Sequence, residues 1–224
     1  MTEPSAIWIC FAVKEEARYF QKVVAGRGQV QVLVTGMGRH NAEKSLTTAL
    51  QKNLPPRLVI TSGFAGGLSP VLARNTVVFA ADDNPGLQAL LKATGARSVQ
   101  FHCAERVVAT TSQKRDLWAS TGCEAVEMES QPIRSLCNQH RIPAVTVRII
   151  LDTAGEDLPL DFNLVMDSAQ RIDSLKLARL LIRSPWKIAS LLRLQRHSAE
   201  AAQLLGEALK HLVADLNSGV ERQN

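Results

Sequence analysis

Short apolar runs of strand length alternate with helix-like stretches through the first two thirds of this chain. Continuous apolar runs are typical of strands that are buried on both faces of a parallel sheet. The pattern therefore predicts an α/β domain with a largely parallel sheet covered on both faces. The predicted strands are Ala6–Val13, Val30–Thr35, Leu58–Ser62, Thr76–Ala81, Arg106–Ala109, Glu124–Met128 and Ala144–Leu151. The predicted helices between them are Glu15–Val24, Asn41 to about Leu50, Ser112–Ser120 and Glu129 to about Gln139.

The last third of the chain has a helical pattern. We expect residues 1–160 to form the α/β core and residues 161–224 to form a helical C-terminal extension packed on the same domain. Ser184 and Pro185 predict a break, with Ser as the N-cap and Pro at the first position of a new helix.

Six Lys and Arg residues and no acidic residue lie between Ser174 and Ala199, so most of the net charge of +5 is local. These cations recur opposite a row of leucines and isoleucines. The pattern predicts either a solvated basic face or an amphipathic surface for an anionic membrane, with Trp186 near the interface. The tail lacks interleaved aromatic residues or glycines, so nucleic-acid binding is not expected.

The four cysteines lie far apart, without CxxC spacing or a histidine cluster, which argues against a disulfide framework or a zinc site. The apolar run Ala6–Val13 is too short to span a bilayer and lacks the basic region of a signal peptide. We therefore expect a cytoplasmic protein with free thiols, peripheral at the inner membrane face if the basic helices bind lipid.

Several candidate functional residues follow the ends of predicted strands, where open α/β sheets bind ligands. They are Glu16, the Gly36-Met37-Gly38 step with Arg39 and His40, the Gly63–Gly67 turn, and Asp152. The Gly36–Gly38 step is either a simple tight turn or, with the two basic residues, an anion site at a helix N-terminus. Asp152 is either a turn residue or a proton donor for a leaving group.

The Glu127-Met128-Glu129 step places two carboxylates between an apolar segment and a predicted helix start. Carboxylates are rarely buried unless they are paired or hydrogen-bonded. Arg148 lies within the last predicted strand and needs a partner for its charge, and Glu127 is the natural candidate.

These segments resemble the signature segments of the nucleoside phosphorylase family, in its branch with the nucleosidases that cleave methylthioadenosine and adenosylhomocysteine. The resemblance covers roughly residues 6–152 and rests on Ser62–Gly67, Val126–Ser130 and Val147–Asp152. Glu156-Asp157-Leu158-Pro159 and the basic tail look most like the hopanoid-associated phosphorylase-like proteins. The resemblance implies a three-layer domain around a mixed, largely parallel sheet, in a protein that forms a homo-oligomer.

The resemblance also implies roles for individual residues. Asp152 would protonate or hydrogen-bond N7 of a purine, and Glu16 would orient an attacking water. Glu129 would accept hydrogen bonds from the ribose hydroxyls, with Met128 packed against the sugar. Residues Gly63, Phe64, Ala65 and Gly66 would line the sugar and nucleophile pocket. No metal or organic cofactor is implied.

The chain also departs from the nucleosidase pattern. Nucleosidases carry Ser where Phe64 stands, and their aromatic base-stacking segment is replaced here by Ala109–Gln113. The phosphorylase Gly-Asp-Pro loop is missing from the end of the first strand. An open pocket of this kind would suit a bulky 5′-substituent, such as a hopanoid linked to adenosine.

Two classes of function therefore remain open. The first is an enzyme that cleaves the N-glycosidic bond of a purine nucleoside, with water activated by Glu16, or phosphate bound near Arg39 and His40, as the nucleophile. The second is a catalytically weak nucleoside-binding or membrane-docked scaffold protein.

Overall fold

The computed structural model describes residues 6–25, 29–81 and 84–221, with side chains to residue 218. Residues 1–5 of the predicted core and residues 222–224 of the predicted C-terminal extension lie outside the described residues. The strands are β1 Ile7–Phe11, β2 Val30–Val34, β3 Leu58–Gly67, β4 Val77–Ala80, β5 Arg97–Ser98, β6 Phe101–Cys103, β7 Ala125–Glu127 and β8 Ala144–Asp152. The helices are α1 Lys14–Val24, α2 Arg39–Lys52, α3 Pro85–Ala93, α4 Thr111–Thr121, α5 Ser130–Gln139, α6 Ser174–Arg183 and α7 Lys187–Glu221.

The central sheet has the order β2-β1-β3-β8-β4-β5, and β6 and β7 extend it from the end of β3. Strands β2, β1, β3 and β8 run parallel to one another, whereas β4 runs antiparallel to β8 and β7 antiparallel to β3. The predicted mixed, largely parallel sheet is confirmed.

Helices cover both faces of this sheet and complete a three-layer α/β fold. On one face, α2 and α5 bury Leu46, Ile133 and Cys137 against Trp8 and Val59. On the other face, α1, α3 and α7 pack on a larger apolar cluster that includes inward-facing residues of β1, β3, β4 and β8. The apolar runs of the central strands follow from this burial on both sides.

The Gly-rich segment that the sequence placed in a turn is part of β3. The strand continues through Gly67, with a shift in its register against β8 between Ala65 and Gly66. Beyond that bulge, Gly66 and Gly67 pair with β7. The prediction of a turn was wrong because bulges and glycines bend a strand without ending its pairing.

The predicted strand Arg106–Ala109 was also wrong. The backbone of Val107 bonds to the side chain of Asn163 in both directions, and the Ala109 N–H donates to Gln113 Oε1 at 2.9 Å. These groups are satisfied by side chains, so no strand ladder forms. The sequence analysis also gave no helix at Pro85–Ala93, where Asn84 caps α3 and Pro85 occupies its first turn.

Helix α2 begins at Arg39, two residues earlier than predicted, and Gly38 is its N-cap with φ +79°. The side chain of Asn41, the predicted first residue of this helix, donates to the carbonyl oxygens of Met37 and Ala169, both at 2.8 Å. The second bond ties α2 to the C-terminal part of the chain.

The C-terminal part consists of a short 3-10 helix at Phe162–Leu164, followed by α6 and α7. Helix α7 buries Ala201, Leu205, Leu209 and Val213 in the same core as α1. The break at Ser184–Pro185 is present, and α7 begins at Lys187. None of the helices in the described ranges is long and apolar enough to cross a membrane.

Candidate active site

Three acidic side chains predicted from the sequence lie at the edge of the sheet where β1, β3 and β8 end. Glu16 comes from the first turn of α1, and Asp152 is the last residue of β8. Strand β7 runs antiparallel to the end of β3, and Glu129, two residues after β7 ends, is the N-cap of α5. The Cα of Asp152 pairs with that of Gly66. This is the edge at which open α/β sheets bind ligands.

Glu16 is buried, and its carboxylate accepts three backbone N–H groups. Its Oε2 lies 3.0 Å from the nitrogen of Ala12 and 3.2 Å from that of Val13, and its Oε1 lies 2.8 Å from that of Phe64. A carboxylate offers about four lone-pair positions. One position on Oε1 therefore remains for a water molecule or another donor.

Glu129 is buried and held from two directions. Its Oε1 accepts the N–H of Gly38 at 2.8 Å, and its Oε2 lies 3.2 Å from Nη2 of Arg148. By the same count of about four acceptor positions, two remain free. The carboxylate is thus fixed in orientation and can still accept two hydroxyl groups.

Arg148 is buried at the centre of this network. Its Nη2 lies 2.7 Å from Glu127 Oε2 and 3.2 Å from Thr61 Oγ1, and its Nη1 lies 3.3 Å from the carbonyl oxygen of Phe64. The predicted partnership between Arg148 and Glu127 is confirmed.

Glu127 has no acceptor capacity to spare for a ligand. Besides Arg148, it accepts the N–H groups of Glu129 at 2.9 Å and Ser130 at 2.7 Å, and the Ser130 hydroxyl at 2.5 Å. Its bonds shape the turn that leads from β7 into α5. Of the two carboxylates in the step, Glu127 is therefore structural and Glu129 faces the site.

The buried guanidinium of Arg148 faces several buried carboxylates, and burial and these charges shift the pKa values of the carboxyl groups. Burial raises the pKa of Glu16 to about 7; Arg148 and the backbone N–H groups oppose this increase, and Glu129 adds to it. Burial also raises the pKa of Glu129, against the opposing effect of Arg148. Glu16 is therefore partly ionised near neutral pH, as a group that accepts a proton during catalysis should be.

Asp152 pairs with a residue that the sequence analysis missed. Its Oδ2 lies 2.5 Å from Nζ of Lys114, whose side chain is fully buried. The Asp152 side chain remains 14% exposed, although its Oδ2 atom is buried. Burial raises the pKa of Asp152, and Lys114 acts in the opposite direction.

A capping box starts the helix that carries Lys114. The segment Ala109–Gln113 contains the N-cap and the first residues of α4. Thr110 Oγ1 accepts the Gln113 N–H at 3.2 Å, and Gln113 Oε1 accepts the Thr110 N–H at 3.1 Å. This capping box fixes the first turn of α4 and with it the direction of Lys114.

Gly63 must be glycine where it passes Glu16. Its φ is +135°, and a Cβ at this position would lie 2.7 Å from Glu16 Oε1. Phe64 gives the site its backbone N–H, while its side chain packs against the apolar cluster beneath α1 and α7.

The remaining predicted lining residues lie along the same edge. Ala65 is buried, and a Cβ on Gly66 would approach Asp152 Oδ2 to 3.3 Å. Met128 is partly exposed between the two glutamates. Arg39 and His40 lie in the first turn of α2 and are exposed.

A groove of about 880 Å³ lies between α5, β6 and the start of β8. Its lining includes Ser130, Arg134 and Ala144, so it begins behind the site and extends toward the opposite edge of the sheet. The chemistry described above therefore does not lie in this groove. Among the described residues, no group of three or more His, Cys, Asp or Glu side chains is arranged to hold a metal ion.

The order of these segments along the chain matches a known family. The sequence profile of the phosphorylase superfamily matches residues 10–84 and 83–183. The chain belongs to the phosphorylase superfamily.

Members of this superfamily with related sequences include 5′-methylthioadenosine/S-adenosylhomocysteine nucleosidases. That of Anoxybacillus flavithermus is 27% identical over 193 residues, which cover 68% of this chain and 80% of the relative. The native futalosine hydrolase of Helicobacter pylori superposes with a TM-score of 0.70 at 16% identity, covering 95% of this chain and 98% of the other. A nucleosidase of the first kind from the same organism superposes with a TM-score of 0.70 at 16% identity, covering 96% and 100%. At these identities the structural likeness shows the fold.

Proposed function

We propose that this enzyme hydrolyses the N-glycosidic bond of a purine nucleoside of the adenosine type. The observation that carries the proposal is Glu129, a buried carboxylate fixed by Gly38 and Arg148 with two acceptor positions left. Two vicinal hydroxyls of a ribose fill such positions. The names of the relatives, which cleave methylthioadenosine and adenosylhomocysteine, support an adenosine-type substrate.

The proposed mechanism divides the reaction among three carboxyl groups. Asp152 gives its proton to N7 of the purine, and the electron pair of the C1′–N9 bond moves into the departing base. Glu129 holds the ribose hydroxyls while positive charge develops on the sugar ring, where fixed negative groups stabilise the transition state most. Glu16 accepts a proton from the water that attacks C1′, and the products are free purine and ribose.

Water is favoured over phosphate as the nucleophile. The free acceptor position on Glu16 Oε1 suits a water, and its pKa of about 7 suits a general base. At the N-terminus of α2, where a phosphate would bind, the Gly38 N–H is already bonded to Glu129. Phosphate binding by Arg39 and His40 is therefore the less favoured alternative.

The test is release of adenine from 5′-substituted adenosines at increasing phosphate concentrations. We expect release in phosphate-free buffer, the 5′-substituted ribose as the second product, and no increase with phosphate. Strict dependence on phosphate would replace hydrolysis by phosphorolysis. No release from any adenosine derivative would overturn the proposed function.

We further propose that α6 and the start of α7 dock on an anionic membrane surface. No residue of α6 is buried, and large apolar side chains are exposed here, with Leu175 at 60%, Ile182 at 80% and Trp186 at 70%. Six cations and no acidic residue lie between Ser174 and Ala199. Exposed apolar side chains next to cations are typical of helices that lie in the interface of an anionic bilayer.

The segment before α6 connects the proposed membrane-binding face to the site. A Cβ on Gly38 would collide with the side-chain amide of Gln170, and Asn41 donates to the Ala169 carbonyl at 2.8 Å. The segment just before α6 therefore lies on the glycine whose N–H holds Glu129. We propose that a membrane-embedded 5′-substituent, of which a hopanoid is one example, enters from this side.

Vesicle sedimentation tests this part of the proposal. We expect binding to vesicles with about one third phosphatidylserine and much weaker binding to neutral vesicles, because each cation near an anionic surface contributes about 1 kcal/mol. Ile182→Asp should abolish binding, whereas Leu54→Asp, at an exposed leucine elsewhere, should not. Failure to bind, or self-association that Ile182→Asp disrupts, would assign this face to a second copy of the chain instead.

A further inference from the structure

Lys114 is a fully buried lysine, with a side chain that is 0% exposed. Lysine is almost never fully buried unless its charge is paired, because burial removes the hydration of the ammonium group. Lys114 also lies in the first turns of α4, near the positive end of the helix dipole, where a cation is disfavoured. Its position therefore needs strong acceptors.

Three acceptors surround the ammonium group. Nζ lies 2.7 Å from the carbonyl oxygen of Thr153, 2.6 Å from that of Glu156 and 2.5 Å from Oδ2 of Asp152. Nζ donates to both carbonyl oxygens and so holds the backbone of the loop after β8, and it forms an ion pair with the carboxyl group of Asp152.

We propose that Lys114 is a positioning residue that holds Asp152 for proton transfer to the purine and stabilises the carboxylate left behind. This inference rests on the proposed function. Lys114 binds Oδ2 and leaves Oδ1 to face the substrate. When the O–H bond of Asp152 breaks and the N7–H bond forms, the new carboxylate already lies against a fixed positive charge, so no solvent has to reorganise.

Other charged groups near Asp152 belong to the same loop and its neighbours. The Glu156 carboxylate accepts the Thr153 N–H at 2.9 Å and pairs with Arg74, and Arg74 also contacts His197 of α7. Glu156 and Arg74 act on Asp152 with opposite signs, and burial of the carboxyl group is the largest effect. Lys114 is thus the cation in direct contact with the proton donor.

The pH dependence of adenine release tests the proposal, because Asp152 must be protonated to act as an acid. Activity should fall as the pH rises through the pKa of Asp152. Lys114→Met removes the cation that lowers this pKa, so the alkaline fall should move to higher pH by about one unit or more. Lys114→Arg keeps the charge and should keep the position of the fall. An unmoved fall in folded Lys114→Met would overturn the proposal.

A second substrate separates positioning from folding. A nitrophenyl riboside has a leaving group that departs without protonation and does not need Asp152. Lys114→Met should slow adenosine cleavage by about 10²-fold, in the range of general acid catalysis, and leave the nitrophenyl reaction within about threefold of wild type. Arg115→Met removes the exposed neighbouring cation on α4 and should leave both reactions unchanged.

The outcomes are distinguishable from failure of the proposed function. If the wild-type enzyme releases no adenine, the proposed function fails before Lys114 is tested. If it does, and Lys114→Met slows both substrates equally, Lys114 has a structural role only and the inference is overturned. Lys114→Gln, a neutral donor for the carbonyls of Thr153 and Glu156, serves in the same two assays if the Met variant does not fold.

Discussion

Nη2 of Arg148 lies 2.7 Å from Oε2 of Glu127, and both side chains are buried. The same nitrogen lies 3.2 Å from Oε2 of Glu129. A single cation therefore holds one carboxylate that shapes the turn into α5 and another that faces the site. This arrangement makes the orientation of Glu129 depend on the ion pair that links β7 to β8.

Replacing Arg148 by Met should destabilise the fold strongly. It leaves Glu127 buried without its cation, and breaking a buried ion pair in this way costs about 3–5 kcal/mol. Denaturant unfolding of the purified variant measures the loss. Arg171→Met, which removes the exposed pair with Asp167, is the matched control and should not change the midpoint measurably. Equal effects of the two substitutions would contradict the assigned role of Arg148.

Replacing Gly63 by Ala should reduce both stability and activity. The backbone at φ +135° adds a strain of about 1–3 kcal/mol, and the new Cβ would lie 2.7 Å from Glu16 Oε1. Gly95→Ala is the control, because Gly95 has φ +83° with nothing within 4 Å of its Cβ position. Thermal unfolding and adenine release should show a larger loss for Gly63→Ala; a loss no greater than that of Gly95→Ala would argue against the close approach.

The pH profile of the wild-type enzyme should show Glu16 as the base. Its pKa is raised to about 7, and a base acts only when ionised, so kcat/KM should rise with pH through about 7. Glu16→Gln should lower activity by about 10²-fold or more and remove this rise. Glu15→Gln, at the exposed neighbour, should leave the profile unchanged. A rise that persists in the Glu16→Gln profile would assign it to another group.

Substrates without a ribose hydroxyl should reveal the contacts of Glu129. The wild-type enzyme should cleave a 2′-deoxyadenosine analogue about 10²-fold less efficiently than the ribonucleoside, because a buried acceptor is left without its donor. In Glu129→Ala this preference should largely disappear, since the acceptor is gone. The four measurements form a double-mutant cycle between the enzyme and the substrate. If the effects of removing the hydroxyl and of replacing Glu129 simply add, the ribose hydroxyls bind elsewhere.

The sequence predicted most of the sheet because burial on both faces leaves continuous apolar runs, as in β1 and β8. It also paired Arg148 with Glu127, since a charge within an apolar strand requires a partner. The path of β3 was missed, because the bulge at Ala65–Gly66 depends on pairing with β7, which is distant along the chain.

Lys114 could not be recognised from the sequence for a similar reason. A single lysine in an otherwise polar helix is ordinarily exposed. Its burial results from the loop Thr153–Glu156, whose carbonyl oxygens turn toward α4 only in the folded protein. The capping residues Thr110 and Gln113 were present in the sequence, and they fix where α4 starts rather than what its side chains contact.

The release of adenine by wild-type enzyme and by Asp152→Asn, compared in phosphate-free buffer, tests the central claim most directly. We predict that wild type releases adenine and the 5′-substituted ribose from a 5′-substituted adenosine. We also predict that the Asn variant, with an unchanged circular dichroism spectrum, is slower by about 10²-fold or more. Full activity in Asp152→Asn, or no adenine from wild type, would contradict the claim.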